Sequence, residues 1–347
     1  MKVSSEISQK IRNMGLLCAA LVVLIHSGIP AEHGSLAWFF NQLMGGGIAG
    51  IAVPFFFLIS GFFLAAHTDK QGWWKHEVGK RVSSLVVPFF IWSFICVICS
   101  IPLSFASDLK AHLALGSHFS AFIERNWLRI PGVDLTEYPI LAQLWYVRCL
   151  FFFVLAAPFI VGGVLRFRYV WLVGCLLVSI LQIYVPEQHL KNVLRFLGFS
   201  NGIFYFSLGI FINKNKLTRP ADAHAVVCLI VGLSLLAVKT IFSYNASALQ
   251  EPVCKLALPF LLIAVWHFMP STPLPAGLTS CAFPVFLMHP IIISNCAAVL
   301  RNVSICPRGL MTLTGINFAV GIFGSVVCAC LIRRFLPRAA EILFGGR

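Results

Sequence analysis

The sequence predicts an all-α fold, a polytopic membrane helix bundle of about ten transmembrane helices with both termini in the cytoplasm. Three observations carry that expectation. The 347-residue chain is 59% hydrophobic and only 11% charged, where a soluble domain carries about 25% charged residues. Its apolar runs are continuous over roughly 20 residues, the length that crosses a bilayer, rather than alternating over about ten as barrel strands do. Lys and Arg are spread unevenly between the loops. A formal net charge of +14 suits a nucleic-acid partner, but the cations lie in short inter-helix loops, as positive-inside topology requires. The chain reads as one membrane-embedded domain over 1–347 with no soluble domain, and its longest polar stretch, 104–140, reads as a loop.

Each segment has its own signal. The first, 12–30, follows Lys10 and Arg12. It has the basic start of a signal peptide, but Pro30-Ala31-Glu32 is a poor cleavage site, so it is kept as a span. The second, 44–66, opens on Gly45-Gly46-Gly47 and contains Pro54 and Gly61, which loosen the helix and permit close backbone approach. The third, 82–104, follows Lys80-Arg81 and holds Pro88 near its start. The rest are 141–163, 169–186, 196–213, 223–243, 252–269, 281–300 and 310–332, the fifth and sixth being short. An even number places both ends on one side. Lys70, Lys75, Lys80, Arg81, Arg166, Arg168, Lys214, Arg333 and Arg334 fall on that side, which makes it cytoplasmic.

An ionisable group inside such a segment is costly, and a functional site is its default reading. His26 lies fourteen residues beyond Arg12, about 21 Å along a helix, in the outer part of the bilayer. Imidazole titrates near neutrality and takes a proton from a hydroxyl or thiol; a hydrogen bond between helices is the blander alternative. Arg148, in Leu144-Trp-Tyr-Val-Arg148, is placed about 10 Å below the outer boundary, at a depth similar to His26. It requires an anion, carbonyl groups or water there, or else snorkels outward along Trp145 and Tyr146. His289, in Phe286-Leu-Met-His289-Pro290, sits mid-span. Lys239 and Lys255 lie near outer boundaries and are expected to snorkel. Ser60 has no base near it in sequence and reads as helix packing. Carboxylates are nearly absent from the spans, which disfavours a proton-coupled transporter; Glu32, Asp134 and Glu137 are the acidic groups best placed to reach an outer site. Lys80-Arg81 suit the phosphates of a cytosolic donor, although ordinary topology explains the pair equally well. Most of the twelve cysteines lie in spans and read as small packing residues, Cys96 and Cys99 included. Asn245-Ala-Ser247 and Asn302-Val-Ser304 fit the glycosylation triplet, which is common by chance.

Five motifs in order, Val22-Val-Leu-Ile-His26-Ser, Val53-Pro-Phe-Phe-Phe-Leu-Ile-Ser60-Gly61, Lys80-Arg81-x6-Pro88, Leu144-Trp-Tyr-Val-Arg148 and Phe286-Leu-Met-His289, resemble the acyltransferase-3 family of integral-membrane O-acyltransferases. The resemblance runs over almost the whole chain. It implies transfer of an acyl group, usually acetyl, from cytosolic acetyl-CoA as donor to a hydroxyl of a cell-surface or exported glycan, in a multi-pass protein of the bacterial inner membrane. It implies His26 as the essential base; Arg148 and His289 match less uniform family positions, and Arg148 is read from its place in the span as a group to stabilise the developing negative charge or to orient the acceptor. Arg81, Lys80 and Arg12 are the candidates for the donor side. The family often carries a basic residue eleven positions before the histidine, which here is Gly15, so Arg12 is the nearest cation. Trp145, His289 and Glu32 are the candidates for contact with the acceptor. Membrane lipid is an expected partner; nucleic acid and metal are not expected. A transporter of a small metabolite or glycan, with His26 and Arg148 lining its path, is the alternative, and so is an assembly partner of a glycan exporter. Release of acetyl from CoA separates the enzyme from the transporter, and a nearly silent His26→Gln would mark the assembly partner.

Overall fold

The computed structural model describes residues 4–28, 31–199, 202–217, 221–302 and 310–346. Pro30, the triplet at Asn302-Val-Ser304 and the cations Lys2, Arg219, Arg308 and Arg347 therefore fall wholly or partly outside the described residues. The helices are α1 (Ser5–Ser27), α2 (Leu36–Phe40), α3 (Ala52–Ala65), α4 (Trp73–Arg81), α5 (Val87–Ala111), α6 (Ser117–Asn126), α7 (Leu144–Leu155), α8 (Ala157–Phe167), α9 (Tyr169–Leu181), α10 (Gln188–Phe196), α11 (Gly202–Asn215), α12 (Asp222–Tyr244), α13 (Gln250–Phe268), α14 (Ala276–Thr279), α15 (Ala282–Asn302), α16 (Leu310–Phe335) and α17 (Pro337–Leu343). No strand occurs among the described residues.

The predicted segments overlap helices, the fourth of them two, but among the described residues fewer than ten reach the length and apolarity of a span. Six stretches of the described residues are long and apolar enough to cross a bilayer: Ser5–Ser27, Leu36–Ala65, Trp73–Ala111, Asp222–Tyr244, Gln250–Phe268 and Leu313–Phe335. The helices α7 and α8 make a seventh only as a pair bent by 69°. Helices α9 and α11 are short, as their sequences anticipate. The stretch 104–140 is not a simple loop. Helix α5 continues to Ala111, a turn over 112–116 leads into α6, which packs back along α5, and 127–143 is irregular.

Local chemistry explains the boundaries. Ser4 caps α1 by accepting from the Ile7 amide, and Ser35 caps α2 by accepting from that of Trp38. Pro88 sits in the first turn of α5, where its missing N–H costs nothing. One-turn π-helices interrupt the regular winding at Asn41–Gly45 and Val82–Val86, the kind of irregularity that recurs at functional sites.

The ends of the chain share one face, here termed the N-terminal face. Asn13 Nδ2 donates to the carbonyls of Pro270 and Thr272, and Lys10 Nζ to that of His267. Arg333 reaches Ser280. The tail after α17 folds back beneath α5: Trp92 Nε1 donates to the Leu343 carbonyl, Phe344 is fully buried, and Gly345 adopts φ +64° against Ser84. On the same face Lys214 binds Asp69 at 2.7 Å, which holds the Asp69 carboxyl below its ordinary range.

The tightest packing is between α3 and α11. A Cβ on Gly61 would lie 2.0 Å from the Phe206 carbonyl oxygen, and one on Gly209 would lie 1.9 Å from that of Leu58. The backbones therefore touch, as small residues allow between helices that lack a hydrophobic driving force in lipid. Lys239 and Lys255 do not snorkel. They are 6% and 5% exposed, with Lys239 Nζ bonded to the backbone and side-chain oxygens of Gln42 and Lys255 Nζ to the Ser179 carbonyl. Fixed oxygens close by replace the water that snorkelling would reach.

Gly61→Ala and Gly209→Ala are each expected to destabilise the detergent-solubilised protein by about 1–3 kcal/mol or more. Gly79→Ala and Gly162→Ala, where an added methyl meets nothing within 4 Å, are expected to be neutral or to stabilise by up to about 1 kcal/mol. Thermal melting of the four variants checks the contrast, and equal melting would remove the backbone contact from the account.

Candidate functional site

The site is built on α1. Its buried residues Cys18, Ala19, Val22, Val23 and Ser27 form one face, and His26 continues that face, seven residues after Ala19 and four after Val22. A side chain on this line is expected to be buried. His26 is instead exposed at the far end of α1, although it continues the buried line of that helix. Neither ring nitrogen hydrogen-bonds to another described residue.

His289 faces it. The two imidazole centroids are 5.1 Å apart with the planes tilted by 46°. His289 is fully buried, its Nδ1 lies 2.9 Å from the Val285 carbonyl oxygen, and its Nε2 has no partner among the described residues. Two elements hold this pair together. Helix α16 packs against both α1 and α15 through Gly321, where a Cβ would lie 2.7 Å from Val23 Cγ1 and 3.0 Å from Ile293 Cδ1. Gln143, 2% exposed, ties α7 to α15 by donating from Nε2 to the Leu287 carbonyl at 2.9 Å. Sequence reasoning missed Gln143; a buried amide at the head of an apolar helix was the available signal.

Arg148 is elsewhere, and its expected depth is corrected. Helix α7 runs towards the N-terminal face, where Trp74 Nε1 donates to the Val154 carbonyl, and α15 runs away from it. From the Gln143–Leu287 link, Arg148 lies five residues one way and His289 two the other, an axial separation of about 10 Å. The guanidinium neither snorkels nor meets His26. It donates to the carbonyls of Gly132, Asp134 and Glu137 at 3.0, 2.6 and 3.2 Å and lies 5.5 Å from the Phe196 ring centroid. Gly132 in turn abuts Phe89, where a Cβ would be 2.4 Å from the ring. The irregular segment 127–143 thus descends into the bundle, so α7 begins inside it and not at the outer boundary.

The remaining candidates are dispersed. Trp145 packs on Phe57, with centroids 6.1 Å apart, and Glu32 is exposed just beyond α1. Ser60 Oγ lies 3.3 Å from the Tyr146 hydroxyl, which donates to the Phe56 carbonyl, in keeping with a packing role. On the N-terminal face Arg12 is exposed and bonds to Gln9 through Nε, and Lys80 is exposed. Arg81 is half-buried. Its Nε lies 3.7 Å from Glu77, whose carboxylate is 1% exposed and also 2.9 Å from His67 Nδ1. The Arg81 Nη groups make no hydrogen bond among the described residues, so the fork is fixed at its base and open at its tip. Glu77 was also missed, although its i,i+4 spacing to Arg81 is legible.

Two cavities flank α1. One of about 370 Å³ adjoins its last turn and is lined by Leu24, Ile25, Gly28, Asn41, Gly45, Gly46 and Thr314 among others. The other, about 330 Å³, lies between α1, α3, α11 and α13 and is lined by apolar residues such as Ile7, Ile11, Phe62 and Trp266. It offers no titratable group and suits hydrocarbon.

A family model described as Acyltransferase domain matches residues 13–334, almost the whole chain. No curated protein and no solved structure matches it.

Arg148→Ala is expected to leave three carbonyls of the inserted segment without a donor, at a cost of about 2–4 kcal/mol. Hydrogen exchange across 128–140 should accelerate while α12 and α13 keep their protection. Unchanged exchange in that segment would mean that the guanidinium does not hold it.

Proposed function

The chain belongs to the acyltransferase-3 family, and on that premise we propose that it is a membrane O-acetyltransferase which moves an acetyl group from cytosolic acetyl-CoA to a hydroxyl of a cell-surface or exported glycan, in a bacterial inner membrane. The observation that carries the reading is the accessible imidazole of His26 on the otherwise buried face of α1. In the proposed reaction His26 accepts the proton of the acceptor hydroxyl. The oxygen attacks the thioester carbonyl, and the CoA thiol leaves. A general base contributes about 10²–10⁴-fold.

The donor side is assigned to the N-terminal face. The unpaired Nη groups of Arg81, the exposed ammonium of Lys80 and the exposed Arg12 suit CoA phosphates, because a guanidinium fork binds phosphate in a bidentate manner. Glu77 anchors Arg81 from behind and leaves its tip open to a ligand. The acceptor is assigned to the far end of α1, where the 370 Å³ cavity, Asn41 and Glu32 lie. Arg148, committed to backbone carbonyls, is assigned no part in charge stabilisation; it shapes the wall of the site. Donor and base are then separated by roughly the 21 Å from Arg12 to His26, a distance suited to the extended pantetheine arm entering between helices.

His26→Ala is expected to lower incorporation of radiolabelled acetyl into envelope glycan by at least about 10²-fold at unchanged membrane content. Normal incorporation would end the assignment of the base. Arg81→Gln is expected to raise the apparent KM for acetyl-CoA by about 10–100-fold, the worth of one or two charge-assisted hydrogen bonds, with kcat little changed. An unchanged KM would move the donor site elsewhere.

A further inference from the structure

The reaction above uses one imidazole and leaves a second, fully buried one unexplained. The Val285 carbonyl can only accept a hydrogen bond, so His289 Nδ1 carries the ring proton and Nε2 presents a lone pair. That lone pair has no donor among the described residues and no access to solvent. A buried acceptor left unmet is costly and calls for an explanation. His26 is the ring next to it, at 5.1 Å between centroids. A small rotation of His26 closes such a gap to a hydrogen bond of roughly 3 Å, and catalytic hydrogen bonds are often long until substrate is bound.

We propose that His289 is a positioning residue for His26: its Nε2 accepts the N–H of one His26 nitrogen and so aims the other nitrogen at the acceptor hydroxyl. The inference rests on the reading of His26 as the base. In soluble enzymes this orienting task commonly falls to a carboxylate. Here a neutral imidazole serves, because it costs far less than a carboxylate to bury among membrane helices.

The protons balance as follows. The acceptor O–H bond breaks and its proton passes to the free nitrogen of His26 while the oxygen bonds to the thioester carbon. The C–S bond then breaks, and the leaving sulfur takes that proton from His26. The products are the O-acyl ester and the CoA thiol, with His26 neutral again. His289 keeps its own proton on Val285 throughout and neither gains nor loses one.

The test uses the full-length protein in membrane vesicles, with radiolabelled acetyl-CoA and envelope glycan of the source organism as acceptor. His289→Asn keeps a donor for the Val285 carbonyl but removes the lone pair. Its kcat is expected to fall by about 10²-fold, with the apparent KM of donor and acceptor each within about twofold. His289→Gln places an amide oxygen near the lost Nε2 and is expected to recover at least about tenfold of that loss. A kcat for the Asn variant within threefold of wild type overturns the proposal. So does a loss confined to the acceptor KM, which would make His289 a substrate contact, or a folded Gln variant no better than Asn. Melting of each variant is followed in parallel. If the Asn variant fails to fold, a folded Gln variant decides alone: kcat within about tenfold of wild type at unchanged KM supports the proposal, and complete loss overturns it. Retained transfer by His26→Ala would sink both this inference and the reading beneath it, whereas a wild-type-like His289→Asn would sink this one only.

Discussion

A guanidinium that cannot lose its charge must find oxygen atoms wherever it is placed, and in this bundle Arg148 finds them on a stretch of chain that is not helical. The bargain is mutual. Irregular backbone within a membrane protein survives only where its polar groups are met by protein, and three carbonyls of 132–137 are met by one side chain. Because that segment is folded inward, α7 begins deep and remains short. Its first residues then come level with the second turn of α15, so Gln143 can take hold of Leu287. The turn of α15 that bears His289 is thereby fixed opposite α1. Arg148 thus contributes to the architecture that brings two imidazoles together.

Close approach supplies the rest. Gly61 and Gly209 let the α3 and α11 backbones touch, and Gly321 does the same for α16 against α1 and α15. Lipid offers little driving force for apolar surfaces to leave it, so contact area gained by omitting side chains replaces the hydrophobic term that would build a soluble core. The polar atoms inside are correspondingly particular. Lys239 and Lys255 each end on fixed oxygens, and Glu77 lies between His67 and Arg81.

The class of the fold was legible because composition and run length are direct consequences of the solvent the chain occupies. That His26 lies in the last turn of an apolar helix was legible for a related reason, since the aliphatic run from Leu16 to Ile25 reads as one span. The inward course of 127–143 was not legible. Its sequence is as polar as any external loop, and the side chain that permits the descent, Arg148, is separated from it in the chain and joined to it only by tertiary contact. The failure to foresee where Lys239 points has the same origin: its partners on Gln42 lie 197 positions away. The departure from regular winding at Val82–Val86 left no mark in residue type beyond Pro88.

The tail that tucks Phe344 and Gly345 under the start of α5 has a consequence for biosynthesis. Helices enter the bilayer in the order in which the ribosome delivers them, yet the bond from Trp92 to Leu343 spans 251 positions. The start of α5 and the turn at Ser84 therefore complete their packing only after Leu343 and Gly345 have been made. Until then a nascent chain can hold α5 in the bilayer and still lack the contacts that close its first turns, so insertion of that helix and completion of its packing are separate events.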